Sequence, residues 1–275
     1  MKNVSTSKRI KGWMMYDWAS QPYHTLILTF IFGPYFAEQV IAHLSATGLD
    51  DASARAQAQS IWGTGLTISG LTIAVLAPIL GAVADGTGRR LPWIWVFSAC
   101  YALGASGLWL ASPVDFPTFT VLGFFILGMI GVEFTTIFTN AMLPSLGTKE
   151  EIGKVSGDGW AWGYVGGFIA LVIMLLLFAE NGDGITLLGK APLLGLDPDL
   201  REGTRFVGPF VAIWFGVSMI PFFLWVREPR GSGMHVGAAV KSGLVSLGGT
   251  LKSLPSRKSL FAYLISSMFY RDALN

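Results

Sequence analysis

The decapeptide GAVADGTGRR, residues 81–90, decides the fold because it is a short polar turn between two long apolar stretches. The stretch before it, roughly residues 58–83, and the stretch after it, roughly residues 91–111, are each long enough to cross the ~30 Å hydrocarbon core of a bilayer as a helix. Arg89 and Arg90 would anchor such a turn at the membrane surface. The sequence therefore predicts a tight hairpin between two neighbouring membrane spans.

Composition extends this prediction to the whole chain. Of the 275 residues, 52% are apolar and 13% are charged, whereas soluble domains carry about 25% charged residues. Outward from the hairpin, six segments have the length and hydropathy of transmembrane helices: roughly 13–40, 58–83, 91–111, 118–142, 159–179 and 206–226. We therefore predict an all-α integral membrane fold in which six transmembrane helices form one half-domain.

The predicted domain organisation has four parts. Residues 1–12 form a polar, basic N-terminus, and residues 13–226 form the transmembrane half-domain. Residues 227–259 form a linker whose apolar residues recur at spacings of three and four, which predicts an amphipathic helix on the membrane surface. Glycines within this pattern lower helix propensity and leave a flexible linker as the alternative. Residues 260–275 begin a seventh span that is too short to cross a bilayer, which predicts a truncated chain.

The charged residues predict an orientation and exclude several functions. Connections on one side of the predicted membrane carry 14 Lys and Arg residues, against 4 on the other side. By the positive-inside rule, the N-terminus and the 81–90 hairpin are cytoplasmic, and we expect a plasma (inner) membrane location. The net charge of +2 is spread over short loops and offers no basic surface for nucleic acid. The single cysteine and the three histidines without ligand spacing predict no metal site and no cofactor.

The 81–90 hairpin resembles the loop signature of the major facilitator superfamily. It carries the glycine, the aspartate four residues on, and the later glycine with two basic residues, at Gly81, Asp85, Gly88, Arg89 and Arg90. Three further stretches resemble the vacuole-effluxer-like branch of that superfamily, whose eukaryotic members export amino acids from the vacuole: YDWASQPY at 16–23, NAMLP at 140–144 and VSGDGWAWGYVGG at 155–167. The chain is similar to the N-terminal half of such a transporter with the start of its seventh span.

This resemblance implies a function and a set of partners. It implies a secondary active transporter that moves a small polar solute, with amino acids as the expected class, by alternating access to a site between two six-helix halves. The implied partners are the lipid bilayer, the solute and the missing C-terminal half. In the hairpin, the resemblance implies a gating role for Asp85 and Arg89 on the cytoplasmic side.

Polar residues inside the predicted spans are candidates for a solute and proton pathway. In the first span, Asp17 is followed by Gln21 and His24 at i+4 and i+7, so the three share a helix face, and Pro22 predicts a bend there. An ionisable residue in a span is a functional candidate by default because its burial is costly. Asp17 lies near the end of its helix, however, and has the alternative of pairing with Lys11 in the headgroup region.

Glu133 is the second candidate, about fifteen residues into the fourth span, with Thr136 and Asn140 on the same face. Desolvation favours the neutral form of such a carboxyl. A carboxyl that gains and loses a proton as water reaches it from alternate sides is what proton coupling needs, so we predict a proton-coupled transporter. The alternative is a neutral glutamic acid that makes one structural hydrogen bond between helices.

The fifth span carries a glycine repeat. Its members recur every four residues and therefore lie on one helix face. Small residues at this spacing let a second helix approach closely. The prediction is a packing role, and not a solute contact, for Gly159, Gly163 and Gly167.

Two other classes of protein compete with a transporter. The DGTGR stretch at 85–89 superficially resembles phosphotransferase motifs, but such sites need several clustered acids and Asp85 is alone in its turn, so we predict no enzyme. A non-transporting membrane scaffold or receptor, or an inactive fragment of a transporter, stays open as the alternative. Such a protein would have no need of Glu133 or of the Asp17 stripe inside the membrane.

Overall fold

The computed structural model describes residues 4–228 and 236–274, which form helices and connecting turns without a β-strand. The predicted all-α fold is therefore confirmed. The α-helices in these two ranges are α1 Thr6–Pro22, α2 Phe32–Ala46, α3 Asp51–Thr87, α4 Leu91–Gly107, α5 Thr118–Met142, α6 Lys149–Leu177, α7 Glu202–Arg205, α8 Val207–Ser218, α9 Ile220–Trp225, α10 Val236–Ser253 and α11 Lys258–Leu274.

The described residues contain six helical stretches that are long and apolar enough to cross a membrane, as predicted. They are Thr6–Ala46, Asp51–Thr87, Leu91–Leu110, Thr118–Ser145, Glu150–Leu177 and Glu202–Trp225. Several extend beyond the predicted bounds, as at α3, which begins at Asp51 and not near residue 58. The alanines and glutamines between these positions favour a helix without being apolar enough to mark a span.

The first of these stretches is one span in three pieces. α1 ends at Pro22, residues Tyr23–Phe30 form a wider π-helical segment, and α2 begins at Phe32. Pro22 lacks a backbone N–H and its ring crowds the preceding turn, so the regular hydrogen-bond pattern is interrupted here. At the end of the π-helical segment, the Ile31 amide donates to the Leu26 carbonyl five residues back, at 2.9 Å. Such segments are rare and occur frequently at functional sites.

Three aromatic side chains of the first span hold it against α5 by donating to backbone carbonyls of that helix. The bonds are Trp13 Nε1 to Thr139 O at 2.8 Å, Tyr16 Oη to Val132 O at 3.0 Å and Tyr23 Oη to Phe125 O at 2.8 Å. We call these three bonds the aromatic ladder. Its acceptors are seven residues apart, or about two helical turns, and the two helices run antiparallel. All three donors are buried and find their partners away from water.

Glycines bring α4 into close contact with α5. A methyl group on Gly104 would overlap the backbone of Gly128, and one on Gly131 would overlap the backbone of Tyr101. Without these side chains the helix axes approach closely, which favours dispersion contacts between spans in a membrane. On its other side, the Tyr101 ring stacks on Phe215 of α8 with centroids 4.0 Å apart. These contacts join α4, α5 and α8 around the first span.

The described residues divide into two structural units. The larger lies within Met1–Ile73 and Arg90–Glu228 and contains the aromatic ladder. The smaller contains Ala74–Arg89 together with α10 and α11. Within this smaller unit a methyl group on Gly243 would overlap Ala82, so α10 crosses the end of α3 at close range. The part of the predicted linker from 229 to 235 lies outside the described residues.

The aromatic ladder predicts a specific loss of stability. Tyr16→Phe removes a buried donor to Val132 and should lower the free energy of unfolding by about 1 kcal/mol, as expected for one hydrogen bond between membrane helices. Thermal unfolding of the detergent-solubilised protein measures this change. Tyr164→Phe is the matched control, because this tyrosine is exposed on α6. Equal thermal midpoints for the two variants would show that the bond from Tyr16 to Val132 does not stabilise the fold.

Candidate functional site

His24 and Glu133 face each other between the first span and α5. The His24 Nε2 and Glu133 Oε1 atoms are 3.9 Å apart, and the side chains are 33% and 32% exposed. This distance is too long for a direct hydrogen bond, yet short enough for an attraction when the imidazole is protonated. His24 lies in the π-helical segment, and Glu133 follows the ladder residue Val132. The pair is therefore positioned by the ladder and by the interruption of the first span.

Thr136 and Asn140 continue along α5 from Glu133 in different environments. The Thr136 hydroxyl lies 2.6 Å from the Tyr16 hydroxyl and also donates to the Val132 carbonyl. Thr136 thus belongs to the polar contacts around the ladder. Asn140 is exposed two turns away from Glu133, near the end of the helix.

Asp17 and Gln21 lie on the side of α1 that packs against α6. A methyl group on Gly159 would lie 2.6 Å from Asp17 Oδ2, and one on Gly163 would lie 3.1 Å from Asp17 Cβ. Asp17 Oδ2 is buried and has no hydrogen-bond partner within the described residues. A methyl group on Gly167 would lie 2.8 Å from Gln21 Cγ. Of the three residues of this stripe, Asp17 and Gln21 therefore face α6, whereas His24 faces Glu133 of α5.

The end of α3 and the start of α4 are held by separate contacts. Gly88 has a φ of +65°, a left-handed conformation that suits glycine, and the Arg89 amide donates to the Ala84 carbonyl at 3.2 Å. The backbone amides of Arg90, the residue before α4, and of Leu91, its first residue, donate to the Glu228 carboxylate at 2.6 and 2.8 Å. A carboxylate there satisfies free N–H groups and complements the helix dipole.

The sequence prediction missed this role of Glu228. Asp85 is the acid closest to the start of α4 in the sequence, but the carboxylate that accepts there is that of Glu228. Glu228 is 138 residues from Arg90 along the chain, and only the return of α9 brings it to the start of α4. An acid directly after the sixth span is the one signal that could have indicated it. Gly81, by contrast, lies in α3 with open space around its Cα, so close packing does not require a glycine there.

A second missed group, the Glu180 cluster, lies where α6 ends and α7 begins. Its members are Glu180, Arg201, Thr204 and Glu38. The Glu180 carboxylate is fully buried and accepts from Arg201 Nε at 3.0 Å, Thr204 Oγ1 at 2.8 Å and the Thr204 amide at 3.1 Å. Arg201 also lies 3.5 Å from the Glu38 carboxylate of α2 and 5.4 Å from the Tyr35 ring centroid. The cluster joins the ends of α2, α6 and α7.

Arg205 makes a similar connection beside the Glu180 cluster. Its guanidinium group donates to the Trp109 carbonyl at 2.6 and 3.0 Å and lies 4.8 Å from the centroid of the Trp109 ring. Arg205 is buried, and its position at the end of α7 ties that helix to the end of the Leu91–Leu110 span. The sequence indicates only the charges of Arg201 and Arg205, because their partners lie far along the chain.

The fold and the site together define a multi-pass integral membrane protein built like one half of a major facilitator transporter. The family described as "Vacuole effluxer Atg22 like" matches residues 5–275, so the chain belongs to this family of transporters, as its motifs predict, and not to a class of enzymes. An "Uncharacterized MFS-type transporter YxiO" of Bacillus subtilis (strain 168) is 25% identical over 268 residues. The match covers 98% of this chain and 58% of that relative. No solved structure matches the chain.

The contact between α1 and α6 predicts intolerance of side chains on the glycine face. Gly163→Leu places atoms where Asp17 lies, so we expect a loss of about 1–3 kcal/mol in stability or a failure to fold. Size-exclusion profiles and thermal unfolding in detergent measure both outcomes. Gly153→Leu is the control, because Gly153 is exposed on α6 with open space around it. A Gly163→Leu protein as stable as the control would contradict close α1–α6 packing.

The Glu180 cluster predicts a contrast between two glutamates. Glu180→Gln removes a buried charge from Arg201 and should cost about 3 kcal/mol, the size expected when a buried ion pair is broken. Glu38→Gln should cost less than about 1 kcal/mol, because the Glu38 side chain is 56% exposed and its pair is screened by water. Thermal unfolding of both variants tests the difference, and a reversed order would refute it.

Proposed function

We propose that this chain forms one half of a secondary active transporter that moves a small polar solute by alternating access. The observation that carries the proposal is the His24–Glu133 pair. A carboxyl and an imidazole inside spans are costly to keep there, and both remain partly open to a ligand or to water. Family membership and the interrupted first span support the same conclusion, because broken helices form binding sites in many transporters.

Glu133 and His24 are the proposed site of proton coupling. With Glu133 ionised and His24 protonated, the two groups attract each other across 3.9 Å. Protonation of Glu133 removes this attraction and frees His24. Because His24 lies in the π-helical segment, where the regular hydrogen bonds are already interrupted, the change can alter the shape of the span. Proton uptake then favours one access state over the other.

The polar groups of the pathway suit the amine end of a solute. Asp17 offers a carboxylate, and Gln21, one turn further along the same helix, offers an amide oxygen. Glu133 faces His24 and has the separate proposed role in proton coupling. An ammonium group complements these acceptors, which supports amino acids as the solute class. The carboxylate of an amino acid would then bind to the second half.

A second six-helix half is the proposed protein partner. The chain spans 58% of the length of the curated relative it matches. Alternating access moves one half against another around a site between them. Exposed apolar side chains along α6, among them Trp160, Tyr164 and Phe168, are consistent with a surface that meets other helices or lipid.

The proposed location is the plasma (inner) membrane, with the N-terminus and the 81–90 hairpin in the cytoplasm. The basic residues of the connections support this orientation. At the cytoplasmic side, Asp85 and Arg89 have a proposed gating role, in which charged contacts hold that side closed.

Cysteine labelling tests the orientation. In a Cys100→Ser background, a membrane-impermeant maleimide should label Asp183→Cys in intact cells, because this position follows α6 on the proposed outer side. Gly153→Cys, at the other end of α6, should react only after permeabilisation. Both positions are exposed, so accessibility of the side chain does not limit the reaction. Labelling of Gly153→Cys in intact cells would reverse the assignment.

Transport assays test the function and the coupling residue. In proteoliposomes that contain this chain together with its second half, Glu133→Gln should reduce proton-driven accumulation of a labelled amino acid by about 100-fold or more, because a proton-transfer group is lost. Exchange of labelled for unlabelled solute, which needs no net proton movement, should persist.

Glu150→Gln, an exposed acid at the start of α6, is the matched control and should leave both activities unchanged. The chain without the second half should show no saturable uptake. Loss of both accumulation and exchange in a well-folded Glu133→Gln protein would assign this residue to solute binding alone. No exchange of any amino acid by the assembled protein would refute the solute class.

A further inference from the structure

The connection between α6 and α7 exposes an unusual number of large apolar side chains. We call residues 184–196 the leucine loop. Between Asp183 and Asp197 this loop contains one charged residue, Lys190. Its exposed apolar side chains have exposed fractions from 37% to 73% and are Ile185, Leu187, Leu188, Leu193 and Leu194. A cluster of this kind marks a surface that meets a protein or a membrane.

The backbone of the leucine loop is held in place by hydrogen bonds, so the exposure is built into the fold. The Asn181 amide donates to the Ile185 carbonyl at 2.9 Å, and the Thr186 amide donates to the Lys190 carbonyl at 2.8 Å. Leu194 has a φ of +66°, a left-handed conformation that is unfavourable for leucine, and its side chain is exposed. An unfavourable conformation that presents a leucine outward calls for a functional explanation.

One hydrogen bond places the loop at the depth of the membrane boundary. The Leu187 amide donates to the Leu175 carbonyl of α6 at 3.0 Å. Residues 159–178 contain no charged side chain, and twenty helical residues span about 30 Å, the thickness of the hydrocarbon core. Leu175 is three residues before the end of this apolar run, or about 4.5 Å along the helix. The loop therefore turns back from Asp183 toward the hydrocarbon region.

We propose that the leucine loop lies in the lipid leaflet at the C-terminal end of α6, which is the outer leaflet in the proposed orientation. Leu187 and Leu194 contact acyl chains, and Lys190 extends to the phosphate groups, which suits the single positive charge among apolar neighbours. The acids at its base, Asp183 and Asp197, remain in water. The apolar surface of the spans thus continues into the loop.

Site-directed spin labelling tests this proposal without any need for transport activity. Single cysteines at Leu187, Leu194 and Asp183, in a Cys100→Ser background, are labelled after reconstitution of the protein into phosphatidylcholine vesicles. Collision with oxygen reports contact with lipid, and collision with a nickel chelate reports contact with water. Labels at Leu187 and Leu194 should collide mainly with oxygen, whereas the label at Asp183 should collide mainly with the nickel chelate.

Two results would overturn the proposal. Nickel collision rates at Leu187 and Leu194 equal to that at Asp183 would place the loop in water. Low accessibility to both reagents would place it against protein, such as a second half or a second copy of this chain. Leu188→Cys and Leu193→Cys provide alternative positions in the same loop if either first variant fails to fold, and they must show the same lipid contact.

Discussion

The aromatic ladder between the first span and α5 is the interaction on which the rest of the larger unit depends. A membrane offers no water to a buried indole or phenol, so each donor needs a protein acceptor. Backbone carbonyls of α5 provide acceptors at a spacing of seven residues, which matches one face of a helix. Because Tyr16 is fixed on Val132, the adjacent Glu133 is held beside the first span, and the adjacent Asp17 is turned toward α6.

On its opposite side, the first span packs closely against α6 because the contacting residues of α6 are glycines. Gly159, Gly163 and Gly167 allow α6 to approach Asp17 and Gln21 more closely than any larger residue would permit. The first span is thus held on both sides, yet it is interrupted between Pro22 and Phe32. Fixed contacts around an irregular segment would let the change proposed near His24 occur without separating the helices.

Charged residues at the ends of the spans have structural roles beyond their effect on orientation. Glu228 caps α4, Glu180 binds Arg201 and Thr204, and Arg205 binds the end of the Leu91–Leu110 span. Each carboxylate or guanidinium group satisfies backbone or side-chain groups that helix ends leave without partners. The connections between spans are therefore part of the folded structure, and they keep the ends of neighbouring helices together.

The sequence by itself determined the class of protein, the number of spans and the family. These properties depend on the length and hydropathy of continuous stretches and on short motifs such as residues 81–90, all of which are local in the chain. It also identified Glu133 and His24 as candidates, because ionisable residues stand out in apolar stretches. It did not indicate that the two side chains face each other. The helical repeat shows on which face of its helix a residue lies, but not which other helix packs against that face.

Only the tertiary structure decided which groups meet. Glu133 and His24, Glu228 and Arg90, and Glu180 and Arg201 are joined by the packing of helices that are far apart in sequence. The helical repeat of the sequence places Asp17, Gln21 and His24 on one face. In the structure, Asp17 and Gln21 face α6, whereas His24, in the π-helical segment, faces α5. Pairing between spans depends on the crossing of whole helices, which arises from many small packing and hydrogen-bond contacts and not from any single stretch of residues.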